Sequence, residues 1–339
     1  MNRFSFATLS TLAGLLVSAP LAHAVPRAHN TAKERPDVYS GVVTAGELRE
    51  ITALGIDRHE LDLSAVVVDR GQKARIRVEV IITGRQAAAL ADKGVRLAPE
   101  RVNGATAAQR ATRAAQDTSV FRMYGGAGGL KEELEQTAAA NPKIAKLVRV
   151  GRTHLGQDIV ALKVTRNARF VRDGRRPAAL YLGAQHAREW ITPEMVRRLM
   201  HHFVDGYKTD GRIRRLVDRN ELWFLPVANP DGYDWTFEPG QRLWRKNLRD
   251  NDGDGQITAA DGVDLNRNFP TRWGYDNEGS SPDPTSLTYR GPSPASEPET
   301  QALNALGRRV GFEFLVNYHS AAELLLYGTG WQVATPTPD

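Results

Sequence analysis

Two apolar runs, Ala179-Leu180-Tyr181-Leu182-Gly183 and Phe314-Leu315-Val316, each break into polar residues that carry a histidine, and this pattern constrains the fold most. Short apolar runs of this kind read as buried strands. Side by side in one sheet, they would bring His186 and His319 to the same edge, where loops leaving strand ends build sites in open α/β sheets. Further strand candidates at 147–150, 159–164 and 222–226 alternate with helical segments. The best helices are 130–139, 193–205 and 298–310, the last with Ser296 as its expected N-cap and Glu297 and Glu299 in its first turn. The expected fold is therefore α/β, a mixed central sheet with flanking helices. No internal repeat is evident.

The N-terminal part has a different character. Residues 1–24 read as a signal peptide, with Arg3 in a short basic start, an apolar run from Leu12 through Leu21, and Ala22-His23-Ala24 as the cleavage site. The run is well short of the roughly 20 residues that span a bilayer. Export into a secreted or periplasmic space is expected, with Val25 first and no membrane attachment after cleavage. Residues 25–102 form a small α+β domain. Thr44-Ala45-Gly46-Glu47 and Thr83-Gly84-Arg85-Gln86 are capping boxes opening two helices, the second running through Ala91. Strand candidates 61–68 and 75–82 lie between them, joined by Asp69-Arg70-Gly71. The expected order is helix, strand, strand, helix, strand, and such a unit ahead of an exported enzyme suggests a pro-segment. Residues 103–118, rich in Ala, Thr, Gln and Arg, read as a linker in which Arg110 and Arg113, like Arg101 just before it, are open to proteases. The main domain is 119–339.

Cysteine is absent, so disulfides and thiolate chemistry are excluded and a metal must use nitrogen and oxygen ligands. The formal charge of +6, from 45 basic and 39 acidic residues, is spread thinly, so nucleic acid is not an expected partner. Gln185-His186-Ala187-Arg188-Glu189-Trp190 puts an imidazole and a carboxylate three residues apart, both able to reach one ion. Hydrolytic zinc sites keep three protein ligands and an open fourth position, and His319 in Tyr318-His319-Ser320 is the third candidate. Taken alone, a His-x-x-Glu pair is more often chance than a site.

Six ordered blocks add to that pair: the metal motif at 186–190; Asn229-Pro230-Asp231-Gly232-Tyr233; Leu243-Trp244-Arg245-Lys246-Asn247; Val263-Asp264-Leu265-Asn266-Arg267-Asn268-Phe269; Tyr289-Arg290-Gly291-Pro292 with Ser296-Glu297-Pro298-Glu299-Thr300; and Asn317-Tyr318-His319-Ser320. Over 124–339 the chain resembles the zinc carboxypeptidases of the carboxypeptidase A and B type. The resemblance implies one Zn2+ held by His186, Glu189 and His319, and a peptide or protein substrate with a free C-terminus. It implies that Asn266 and Arg267 clamp the terminal carboxylate, that Arg245 stabilises the oxyanion, and that Arg188 helps hold the substrate chain. Asp264 is the acid expected to orient a ligand histidine. A monomer is expected. The His-Glu-x-x-His motif of thermolysin-like enzymes is absent.

Between Arg245 and Asn266 lies a loop with acids at the EF-hand positions: Asp250, Asp252, Asp254 and Asp261 at 1, 3, 5 and 12, Gln256 at 7 and Gly255 at 6. A Ca2+ ion is expected there, without flanking helices, stiffening the insertion. The family's general base is a glutamate on a strand many tens of residues beyond the last zinc ligand. Only 320–339 follow His319 here, and Glu323 and Tyr327 are poorly placed for the roles of base and substrate-capping tyrosine. The expectation is an incomplete carboxypeptidase that lacks this base. Alternatives are a peptidase of cell-wall stem peptides and a catalytically inert zinc-binding fragment.

Overall fold

The computed structural model describes residues 27–28, 35–56, 60–67, 75–114, 120–320 and 324–328. The leader 1–24, the turn at 69–71 and Glu323 lie outside them. After a two-residue strand β1 (Arg27–Ala28), the N-terminal module runs β2 (Pro36–Thr44), α1 (Ala45–Thr52), β3 (Asp62–Val67), β4 (Arg75–Thr83), α2 (Gly84–Asp92) and β5 (Ala98–Pro99). Both capping boxes form: Thr44 and Thr83 accept from the backbone of Glu47 and Gln86, whose side chains accept from the two threonine N–H groups in return. The sheet order is β3-β4-β2-β5, packed on Val43, Ile51, Val78, Val80, Ile82 and Leu90.

Two readings are corrected here. The module opens with a strand, β2, that pattern reading missed because Pro36, Asp37, Ser40 and Gly41 depress strand propensity. It is held by a nine-residue antiparallel pairing with β4. Gly41 is needed there, since a Cβ would sit 2.7 Å from Leu97 Cδ2 and 2.9 Å from Arg96 O. The segment read as a linker is partly structured: β6 (Arg101–Val102) pairs with β7 (Ala105–Thr106), and α3 (Ala107–Ala114) follows. Arg110 reaches Ala105 O at 3.1 Å and Glu100 at 3.3 Å, so of the three arginines only Arg101 and Arg113 are exposed.

The main domain runs α4 (Leu130–Ala140), β8 (Ala145–Arg152), β9 (Asp158–Val164), β10 (Ala178–Leu182), α5 (Ile191–Gly206), α6 (Gly211–Arg219), β11 (Glu221–Leu225), α7 (Pro230–Trp235), β12 (Gln256–Ile257), α8 (Pro298–Val310) and β13 (Phe314–Asn317). The five-stranded sheet is mixed, in the order β13-β10-β11-β9-β8. β10 pairs parallel with both β11 and β13, and β9 runs antiparallel to β11. One apolar layer gathers Leu130, Leu134, Val196, Met200 and Phe224; the other gathers Trp223, Leu225, Leu303, Leu306 and Val310. The N-cap of α8 is Glu297 rather than Ser296, because Pro298, with φ preset for helix and no N–H, takes the first helical position. Ser296 Oγ instead donates to Glu297 Oε1 at 2.6 Å.

Because β10, β11 and β13 are parallel, Leu182, Leu225 and Asn317 end at one edge, and the loops leaving them meet. Gly183 N–H donates to Leu225 O, Tyr318 N–H to Leu182 O, and Asn317 Nδ2 to Gln185 Oε1 at 2.6 Å. Ala184 adopts φ +43°, a left-handed conformation unusual for alanine, pinned by its N–H bond to Thr192 Oγ1 at 2.8 Å. That turn aims the histidine loop across the sheet edge. The N-terminal module docks beside it: Ser286 Oγ donates to Leu54 O at 3.3 Å, and Thr288 Oγ1 donates to Gly55 O.

Candidate active site

Four residues past β10, His186 is buried with Nδ1 2.9 Å from Glu189 Oε1. His319, two residues past β13, places its own Nδ1 3.0 Å from Glu189 Oε2 and 3.1 Å from His186 Nδ1. Two imidazole nitrogens facing each other over one carboxylate form a donor set that a cation satisfies and that protons alone serve poorly. The histidine side chain at 319 is 28% exposed and that at 186 is 4% exposed, so the cluster opens on one side. His186 Nε2 lies 3.3 Å from Asp264 Oδ1, within ion-pair reach but without hydrogen-bond alignment. This contact turns Nδ1 toward Glu189. Burial raises the Glu189 carboxyl, but the charges of His186 and His319 outweigh it and hold Glu189 below the usual carboxylate range.

Asp264 also anchors the arginine beside the cluster. Arg245, fully buried, donates Nε and Nη2 to Asp264 Oδ2 at 2.9 and 2.7 Å. Burial disfavours the ionised Asp264, yet Arg245, His186 and Arg267 hold its pKa well below the ordinary value. Its other oxygen caps the 3-10 turn Leu265–Arg267, accepting from Asn266 N–H at 2.9 Å. Asn266 thus contributes backbone contacts: its carbonyl accepts from Arg267 Nη1 at 3.2 Å. Arg267 Nε donates to Gly279 O.

Three arginines turn toward one acid that pattern reading missed. Glu60, in the N-terminal module, lies 2.6 Å from Arg245 Nη2 and 3.6 Å from Arg267 Nη2 through Oε1, and 3.4 Å from Arg188 Nη2 through Oε2. Burial, then the Arg245 charge, lowers the Arg188 pKa to about 10. No motif around Glu60 marks it; only the docking of the module brings it here.

The acidic loop closes less fully than its spacing suggests. Asp250, Asp252 and Asp254 bring carboxylate oxygens within 4.8 Å of one another. Gly253 and Gly255, both near φ +78°, allow Asp250 to accept from their N–H groups at 2.7 and 2.8 Å. Asp261 is buried and engaged elsewhere, accepting from Asn251 N–H and from Thr258. Gln256 donates its side-chain amide to Asp254. Of the five expected ligands, only three converge through their side chains. No helix flanks the loop to carry position 12 back over it.

The profile of the zinc carboxypeptidase family matches residues 130–339. A metallocarboxypeptidase A-like protein of Trichophyton verrucosum (strain HKI 0517) is 33% identical over 210 residues, covering 61% of this chain and 46% of that protein. Mast cell carboxypeptidase A of Rattus norvegicus is 31% identical over 204 residues, covering 60% and 47%. The crystal structure of carboxypeptidase A from Helicoverpa armigera superposes with a TM-score of 0.64 at 24% identity, covering 88% of this chain and 73% of that one, and so shares the fold. The chain spans about half the length of the curated relatives it matches. With more than half of the chain matched by the family profile, this protein belongs to the zinc carboxypeptidase family.

Proposed function

We propose that the protein is an exported metallocarboxypeptidase releasing the last residue of peptides with a free C-terminus, and that residues 25–102 are a pro-segment covering its site. The observation that carries this reading is the convergence of Arg188, Arg245 and Arg267 on a single carboxylate next to His186, Glu189 and His319. Guanidinium groups meet carboxylates with parallel hydrogen bonds, and a terminal carboxylate is what distinguishes this substrate from an internal segment. Among the described residues no helix is long and apolar enough to cross a membrane.

The donor set fits zinc: two nitrogens and a carboxylate, no sulfur, and one open side. When bound, zinc polarises the scissile carbonyl and lowers the pKa of its water from about 15.7 to about 7. Around it, Asn266 and Arg267 would hold the terminal carboxylate, Arg188 would help hold the substrate chain, and Arg245 would face the charge that develops on the carbonyl oxygen. Asp264 keeps Arg245 and His186 in place. The test is calorimetric, with an N-acetylated dipeptide as free acid and as C-terminal amide. The free acid should bind the zinc-loaded chain, the amide should bind at least tenfold more weakly, and chelation should weaken binding of the acid while leaving its preference over the amide. Less than stoichiometric zinc, or equal binding of acid and amide, would sink the proposal.

We further propose that Asp250, Asp252 and Asp254 take a calcium ion that stiffens the insertion between Arg245 and Asn266. Oxygen ligands at alternate positions suit a hard cation. Calcium should raise the thermal midpoint of the wild type and leave that of Asp252→Asn/Asp254→Asn unmoved; equal shifts would refute it.

A further inference from the structure

A second group of potential ligands sits where the β8–β9 turn meets the start of α8. His154, Glu297 and Glu299 each offer a donor atom, all within 4.8 Å of one another. His154 Nε2 lies 2.7 Å from Glu297 Oε2, and Asn247 Nδ2 donates to Glu297 Oε2 at 2.8 Å and to Glu299 Oε2 at 3.2 Å. Glu297 Oε1 is satisfied separately, by Arg249 Nη1 at 3.2 Å and Ser296 Oγ at 2.6 Å.

Glu299 is different. Its side chain is completely buried, and Oε1 has no hydrogen-bond partner. An unpaired buried carboxylate oxygen costs several kcal/mol of solvation unless something neutralises it. Arg249 is committed to the far oxygen of Glu297. His154, by contrast, is presented to the pair: Asp231 fixes the residues on either side of it, accepting from Thr153 Oγ1 and Leu155 N–H at 2.8 Å each, and from Gln157 Nε2 at 3.1 Å. The histidine side chain is 27% exposed, which leaves an entry path for an ion.

We infer that His154, Glu297 and Glu299 form a second metal site, distinct from His186, Glu189 and His319, that takes a divalent cation of the zinc or manganese class. One imidazole and two carboxylates match the ligand preferences of those ions. An ion there would tie the β8–β9 turn to the first turn of α8 and, through Asn247, to the segment that carries Arg245. Its role is to hold these three segments together. A proton on Glu299 is the competing neutraliser.

Metal analysis after equilibration with zinc and gel filtration separates the two. The wild type should retain two equivalents. Glu299→Gln, which preserves shape, and His154→Gln, at the exposed end, should each retain one, as should His319→Ala. Glu299→Gln/His319→Ala should retain none. One equivalent in the wild type, or two in both Glu299→Gln and His154→Gln, would overturn the inference. Loss of zinc from His319→Ala alone tests the first site, so failure at one site is distinguishable from failure at the other. Asp250→Asn serves as control and should leave the count at two.

Discussion

Replacing Arg245 by alanine should cost the protein both stability and transition-state binding. The first cost follows from burial. Arg245 and Asp264 are both without solvent exposure, and removing one partner of such a pair leaves the other charge uncompensated, typically at about 3–5 kcal/mol. For a chain of 339 residues, a loss of that size should move the thermal midpoint down by several degrees or more. On the proposed function, the second cost is catalytic: loss of one donor at a developing oxyanion usually lowers the rate by about 10² to 10³. Adding Asp264→Asn to Arg245→Ala should recover part of the stability but none of the catalysis, because it removes the stranded charge without restoring a donor. Thermal denaturation of the two singles and the double, run as a cycle, measures the first effect. Additive losses would mean that Arg245 and Asp264 do not depend on each other.

The fold was legible wherever hydrophobic period and capping agreed. Thr44 with Glu47 and Thr83 with Gln86 formed the anticipated boxes, because a capping box is a contact over three residues and needs no distant partner. That His186 and His319 reach the same edge of the sheet followed from two apolar runs each ending in a histidine loop, and the parallel pairing of β10 with β13 is how the fold achieves it. β2 was not legible, since Gly41 and Pro36 argue against a strand locally while the pairing with β4 decides the outcome. The bounds of α8 were legible at 298–310, and only its N-cap moved, from Ser296 to Glu297, because Pro298 takes the first helical position.

Within the site, the gathering of His186, Glu189 and His319 and the position of Arg245 were readable from motifs that each sit on one loop. Asp261 was misjudged because spacing cannot tell a carboxylate aimed at an ion from one turned inward to cap Asn251 and Thr258. Glu60 could not be found from sequence at all. Its role depends on how one module rests on another more than a hundred residues away, through contacts such as Gly55 to Thr288 that leave no mark in local composition.

That contact leads to the prediction with the clearest sign. Glu60→Gln should increase the affinity of the zinc-loaded chain for a free-carboxylate dipeptide, because in the wild type the incoming carboxylate must displace one already held by Arg188, Arg245 and Arg267. Glutamine keeps the size of the side chain and loses the charge. Breaking one member of a buried, hydrogen-bonded charge pair is worth roughly 2–5 kcal/mol, and each 1.4 kcal/mol is about tenfold in affinity. The expected gain is on the order of 10²-fold, allowing for the partial exposure of Glu60, whose side chain is 14% accessible. The module should stay docked, since Ser286 to Leu54 and Thr288 to Gly55 do not involve the substituted group. Glu50→Gln is the control: that acid pairs with Lys93 on the open surface, with 44% of its side chain accessible, and its loss should change nothing. Calorimetry with the acid and its amide separates masking from a general change in charge, because only the acid should gain. An unchanged affinity in Glu60→Gln would mean that the module rests against the arginines without competing for them.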